Sequence, residues 1–355
     1  IAMAARADQA AILTELKAFL ETEDDGQRQQ IVERIITDAA YDCTRVSEWL
    51  HGVGVFAPRD PGRGQIGVPI DDGSRLKVVL RVPMGYDMRR PYPLLYVLHG
   101  SGGSGDGIIR YMEQLLGEDI EQYVVAAPSG YRQGLVHSST RPSSEHPAAL
   151  LAVRKAVHID SDRVFVIGYS RGGHTAWTLA VLHPDEFAGV VAVAGTLTLR
   201  DYGELFETFL PNIAATRVFA CWGENDVMAA DYVTPSEDGG IAGLNRELCK
   251  LAAGLGLPLT WYEVPGQGHS NITPPREDVE ELLSATREHY PRSIRHVFRL
   301  PYQGRTAWIE AHAWRGPWWD QKPLRITFRE GEDGNDPLVQ RKAMARAVRL
   351  RLGEL

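Results

Sequence analysis

The stretch RVFVIGYSRGGHTAW, Arg163–Trp177, decides the fold. Its opening residues, RVFVI, form a short continuous apolar run, the pattern of a strand covered on both faces. From Arg171 the residues read as a helix. Between the two lies a turn with room for only one or two residues, and Ser170 sits at its tip. A strand that passes so abruptly into a helix holds the tip residue in a strained conformation. Gly168 and Gly172 flank it because a side chain there would collide with the neighbouring strand or helix, and Gly173 permits closer packing still. The helix points its first N–H groups at Ser170, which favours negative charge developing there.

Outward from this unit the chain alternates strands and helices. Strands are predicted at Gln65–Pro69, Arg75–Val82, Pro93–Leu98, Tyr123–Ala127, Arg163–Gly168, Gly189–Ala194, Thr216–Trp222 and Pro258–Val264. Helical patterns fall near 105–117, 146–157, 171–183, 240–255 and 275–289. The alternation predicts a mostly parallel, doubly wound α/β sheet. No helix separates the first two strands, so that end is expected to be antiparallel. Residues 1–58 read as a helical extension, 59–290 as the catalytic domain and 291–355 as a β-containing appendage. In the extension, apolar stripes (Ile12, Leu13, Leu16, Phe19, Leu20; Ile31, Val32, Ile35, Ile36, Ala39; Val46, Trp49, Leu50) predict helices that pack on the main domain.

A serine hydroxyl attacks only when a base takes its proton. On such sheets the acid and then the histidine follow the serine in the chain. RVFACWGENDV, Arg217–Val227, is a strand running into a polar glycine loop. Asp226 is the chosen acid, with Glu224 and then Asp231 as alternatives. LTWYEVPGQGHSN, Leu259–Asn271, repeats the pattern and leads to His269, which of the eleven histidines is the one placed directly after the last predicted sheet strand. Asp226 would hold the Nδ1–H of His269, leaving Nε2 for Ser170. PLLYVLHGSGGSGD, Pro93–Asp106, places glycines directly after a strand. Backbone N–H groups of Ser101 or Gly102, with that of Arg171, are expected to hold an oxyanion. His99 is expected to shape that loop.

The segments GYDMRRPYPLLYVLHGSGGS, HIDSDRVFVIGYSRGGHTAW, WGENDV and PGQGHS together resemble the α/β-hydrolase superfamily. The likeness is to feruloyl esterases, polyhydroxyalkanoate depolymerase-like esterases and prolyl-oligopeptidase-like, dienelactone-hydrolase-related hydrolases. It covers about residues 65–290. It implies an α/β-hydrolase fold, a catalytic triad of Ser170, Asp226 and His269, and a serine carboxylesterase working through an acyl-enzyme without a cofactor.

Substrate is less legible. Only about twenty residues, 195–216, stand where many relatives carry a helical cap. An open site is therefore expected, suited to bulky or polymer-linked esters: feruloyl, acetyl-sugar, hydroxyalkanoate or aromatic polyester. Tyr169, Trp222, Tyr131 and His137 are candidate substrate contacts. Trp308, Trp314, Trp318 and Trp319 are either appendage core or a carbohydrate-binding row. A prolyl-oligopeptidase-like serine peptidase is the enzymatic alternative, although 355 residues leave no room for the propeller that gates such enzymes. A carbohydrate-binding protein on an inactive hydrolase fold is the other.

Composition narrows the partners. The net charge is −8 with no long basic run, which argues against nucleic acid. No membrane span, HExxH or Cys/His quartet is present, so no metal is expected. The cysteines, Cys43, Cys221 and Cys249, lack a framework spacing. They read as buried thiols, with a Cys221–Cys249 bridge as an alternative. The sequence fixes no oligomeric state, and the compartment reading leans to secreted or periplasmic.

Overall fold

Eight strands assemble into one sheet in the order β1-β2-β4-β3-β5-β6-β7-β8. They are β1 (Gly62–Pro69), β2 (Arg75–Val82), β3 (Tyr92–Leu98), β4 (Val124–Ser129), β5 (Ile159–Tyr169), β6 (Gly189–Val193), β7 (Arg217–Gly223) and β8 (Leu259–Val264). β2 pairs antiparallel with both β1 and β4, and every other neighbouring pair is parallel. This is an α/β-hydrolase fold, and the antiparallel end lies where the missing helix predicted it. The computed structural model describes residues 2–22, 24–37, 56, 58–70, 73–130, 145–197, 208–228, 239–288, 293–298, 305–306, 309–310 and 324–329.

The central strands are apolar throughout because they feed two cores. Leu94, Tyr96, Val164, Val166, Val190, Ala192, Val218 and Ala220 point to one face. Their neighbours Leu95, Val97, Phe165, Ile167, Val191, Val193, Phe219 and Cys221 point to the other. The two-residue period of a strand produces this division. The first face is covered by α4 (Glu145–Ala156), α5 (Arg171–Leu182) and α6 (Gly240–Gly254). The second is covered by α3 (Gly105–Leu116) and α7 (Arg276–Leu283). In α3, Ile108, Ile109, Met112, Leu115 and Leu116 form the buried stripe, and Ser104 caps the helix by accepting from the Gly107 N–H at 3.2 Å. Each fully buried side chain of this kind contributes about 1.5–3 kcal/mol, and the cap about 1 kcal/mol.

Helices α1 (Ala2–Glu21) and α2 (Asp25–Thr37) bury Ile12, Leu16, Ile31 and Ile35 in a cluster of their own. The described residues of the two stripes meet each other, because a helical hairpin buries both at once. The third expected helix, around Trp49, lies outside the described residues. In the C-terminal zone β9 (Ser293–Phe298) pairs antiparallel with β12 (Leu324–Arg329), and β10 (Arg305–Thr306) with β11 (Ile309–Glu310). β9 is tied to the sheet's first face: buried Asn212 donates to the Val297 carbonyl at 2.8 Å and accepts from the Val297 N–H at 2.7 Å. The four C-terminal tryptophans lie outside the described residues.

Cys221 and Cys249 are both buried free thiols, so the alternative of a bridge is corrected. They belong to opposite faces of the sheet, which keeps them apart. Cys43 lies outside the described residues. Among the described residues no helix is long and apolar enough to cross a membrane, and no group of three metal-ligating side chains gathers.

Candidate active site

The site lies where parallel strands end. Ser170 follows β5, the acid loop follows β7, the histidine loop follows β8, and the glycine loop follows β3. In open α/β sheets the carboxyl ends of the strands form the ligand crevice.

Ser170 adopts φ 55° and ψ −118°, a left-handed conformation that side chains rarely occupy. Its flanking glycines are sterically required. A Cβ on Gly168 would lie 1.9 Å from the Gly172 carbonyl oxygen, and one on Gly172 would lie 2.1 Å from the Leu98 carbonyl oxygen. The turn is held by the Ser170 N–H, which donates to the Val193 carbonyl at 2.8 Å. The His174 N–H then closes the first helical bond onto the Ser170 carbonyl at 3.0 Å.

The structure brings Ser170, His269 and Asp226 into one chain of hydrogen bonds. Ser170 Oγ lies 2.8 Å from His269 Nε2, and His269 Nδ1 lies 2.8 Å from Asp226 Oδ2. Asp226 is fully buried, and its Oδ1 accepts from the Met228 N–H at 3.3 Å. A buried carboxylate needs such partners, since an unpaired one would forfeit its hydration. Glu224, the first alternative acid, is exposed and turned aside. Its Oε2 accepts from the Gly266 N–H at 2.7 Å, which fastens the start of the histidine loop. Asp231 lies outside the described residues.

The glycine loop abuts the serine. A Cβ on Gly100 would stand 3.1 Å from the Ser170 Cβ. Residues 100–103 form a tight turn, with the Gly103 N–H donating to the Gly100 carbonyl at 3.1 Å and Gly102 at φ 70°. A positive φ at the third position is the signature of a type II turn and explains the glycine. Ser101 lines the cleft, whereas Gly102 does not. Arg171 is the first residue of α5, where a backbone N–H has no acceptor within its own helix. His99 braces the loop. The Gly130 N–H donates to its Nε2 at 3.3 Å, so Nδ1 carries the proton and donates to the Gly100 carbonyl at 2.7 Å. Burial lowers the pKa of His99, in keeping with this neutral form.

A cleft of about 700 Å³ runs from Ser170 along α3, walled by Ser101, Ile108, Tyr111, Gln114, Tyr169 and Thr273. Tyr169 is therefore on the cleft. Trp222 is not: it is buried on the first face of the sheet, and its Nε1–H donates to Glu263 Oε1 at 2.9 Å. The expectation of a substrate contact is corrected there, because the strand's alternation turns residue 222 into the core beside α6. Tyr131 and His137 lie outside the described residues. Sequence reasoning missed Tyr111. It sits on α3 and reaches the site across 161 residues of chain, where its O–H donates to the Ile272 carbonyl at 3.2 Å. No local pattern marks such a residue.

Residues 72–240 match the esterase family model described as "Putative esterase". A "Putative esterase NocK" of Nocardia uniformis subsp. tsuyamanensis is 36% identical over 115 residues, covering 30% of this chain and 33% of that protein. A "Probable feruloyl esterase C" of Aspergillus oryzae (strain ATCC 42149 / RIB 40) is 25% identical over 213 residues, covering 55% of this chain and 67% of that protein. The chain thus spans a third of the length of the first relative and 67% of the second. A solved thermostable esterase superposes with a TM-score of 0.48 at 20% identity, covering 63% of each chain.

Proposed function

We propose that this chain, whose residues 72–240 match an esterase family model and whose sheet has the α/β-hydrolase order, hydrolyses carboxylic esters through an acyl-enzyme on Ser170. The observation that carries the reading is the unbroken Asp226–His269–Ser170 chain, 2.8 Å at each link, ending on a serine at φ 55°. Asp226 fixes the proton of His269 on Nδ1, so Nε2 accepts from the Ser170 O–H. As Oγ bonds to the ester carbonyl carbon, that proton passes to Nε2. The tetrahedral oxyanion is held by the N–H groups of Arg171 and Ser101. Each such donor is worth about 3 kcal/mol in the transition state. His269 then returns the proton to the alkoxide oxygen and the alcohol leaves. Water repeats the sequence on the acyl-enzyme and releases the acid. The reaction so written calls for no cofactor.

The cleft supports a bulky ester. About 700 Å³ is far more than an acetyl group fills, and two tyrosine rings with Gln114 and Thr273 give its wall a mixed aromatic and polar character. Such a lining suits a hydroxylated aromatic acid on a sugar or polymer, and the feruloyl esterase relatives support the same class.

The test has two steps. Ser170→Ala should abolish hydrolysis of short p-nitrophenyl esters and labelling by a fluorophosphonate; full retained hydrolysis would refute the mechanism. A panel of methyl ferulate, acetyl-sugar, hydroxyalkanoate and aromatic polyester should then show methyl ferulate fastest. A clear preference for acetyl-sugars would refute the bulky aromatic reading and leave the mechanism standing.

A further inference from the structure

Two phenols beside Ser170 bind the backbone of the histidine loop. The Tyr169 O–H donates to the His269 carbonyl at 3.2 Å and accepts from the Ile272 N–H at 3.3 Å. The Tyr111 O–H donates to the Ile272 carbonyl at 3.2 Å. The two rings meet edge to face, with centroids 5.7 Å apart and planes at 68°. Between the anchored residues lies Asn271 at φ 59°. Asparagine is one of the few side chains that adopts this conformation readily, which suits a loop turning sharply between two anchors.

We infer that Tyr169 and Tyr111 are positioning residues that set His269 against Ser170; the inference rests on the acyl-enzyme reading above. Tyr169 is covalently next to Ser170, and its hydroxyl grips the backbone of His269. With the Ser170–His269 hydrogen bond this closes a small ring. Nucleophile and base are therefore referenced to one side chain. The near half of the loop has its own ties. The Asn225 N–H donates to the Gln267 carbonyl at 2.7 Å, and the Gly266 N–H to Glu224 at 2.7 Å. The acid loop thus fixes the loop before His269, and the tyrosines fix it after. Tyr111 carries the second half of the clamp to α3. Burial raises the pKa of both phenols, so both remain protonated and able to donate.

Substitution by phenylalanine removes the hydroxyl and keeps the ring. In the full chain, Tyr169→Phe should lower kcat on p-nitrophenyl acetate about tenfold, with KM changed less than about twofold. The rate of fluorophosphonate labelling should fall in parallel. Tyr111→Phe should do the same by about threefold. Thermal melting checks that each variant is folded, and Tyr111→Phe keeps the idea testable if Tyr169→Phe misfolds. Unchanged kcat and labelling rate in a folded variant would overturn the inference. So would a rise in KM alone, which would make the phenols simple substrate contacts. A wild-type chain that the probe does not label would instead defeat the acyl-enzyme reading, so the two failures are distinguishable.

Discussion

Asp226→Asn tests the wiring of the site in a way that can be worked through beforehand. The amide keeps the volume of the carboxyl and removes its charge. Asp226 uses both oxygens: Oδ2 faces His269 Nδ1 at 2.8 Å, and Oδ1 accepts from the Met228 N–H at 3.3 Å. Asparagine has one acceptor oxygen for the two. If the oxygen turns to His269, the amide N–H₂ confronts the Met228 N–H, donor against donor. If it turns to Met228, the N–H₂ confronts Nδ1, and the imidazole proton must move to Nε2. In that tautomer His269 cannot accept from Ser170. The charge matters separately. With unit charges about 4 Å apart and an effective dielectric of about 20, the imidazolium formed during attack loses about 4 kcal/mol. At about 1.4 kcal/mol per decade that is about a thousandfold in rate. The wrong tautomer adds to it, for a total near 10⁴-fold in kcat. Glu224→Gln is the paired control, because Glu224 ties down Gly266 rather than His269; it should cost no more than about threefold. Both variants would be assayed by kcat and KM on p-nitrophenyl acetate near pH 8, with active sites counted by fluorophosphonate. If Asp226→Asn stays within tenfold of wild type, or Glu224→Gln proves the more damaging, the assignment of the acid is wrong.

Three further outcomes follow from buried groups. Trp222→Phe should lower stability by about 1–3 kcal/mol through the lost hydrogen bond and the space left behind, and leave KM unchanged; a raised KM with unaltered melting would restore the residue to the substrate site. Burial pushes the thiols of Cys221 and Cys249 up to about 12, so neither should react with a thiol reagent at pH 8 until the protein is denatured; rapid modification of either in the native protein would contradict its placement. Burial also holds His99, His174 and His183 below their ordinary 6.5. The folded state then binds fewer protons than the unfolded one, so stability is full above about pH 6.5 and declines as the pH falls below it. Melting temperature should drop between about pH 6.5 and 5, before carboxylates titrate, and less steeply in His174→Gln; a flat profile there would refute the account.

Most of the fold was legible because its strands are short apolar runs and its turns carry glycines. RVFVI and VVAV fit covered strands by their shortness and β-branched content, and the missing helix between Arg75–Val82 and its predecessor already implied the antiparallel end. Ser170, Asp226 and His269 could be singled out for a related reason. Each lies within a few residues of a strand's carboxyl end, so one local pattern locates the strand and its loop together. Within a loop the pattern loses resolution. WGENDV offers two carboxylates two residues apart, and only tertiary contact distinguishes them, since Asp226 turns inward to His269 while Glu224 turns outward to Gly266. Trp222 was misread for the converse reason. Proximity to the acid loop in sequence says nothing about which face of the strand a residue takes, and with Cys221 on one face the alternation puts the next residue, Trp222, on the other.

The tyrosine pair shows where local reading stops altogether. Tyr169 could be flagged because it lies inside the serine turn, but its role depends on a carbonyl 100 residues away. Tyr111 belongs to a helix whose periodicity explains its buried stripe and gives no reason for a hydroxyl on the neighbouring face. Once the histidine loop is seen held on one side by Glu224 and Asn225 and on the other by two phenols, the serine motif acquires a different meaning. In the proposed mechanism the turn supplies the nucleophile, and through its second residue it also supplies a fixed reference for the base. A serine turn with a short or apolar residue at that position would need another group to hold the histidine loop. The hydroxyl of Tyr169, more than its ring, is therefore the feature on which the reach of Ser170 to His269 depends.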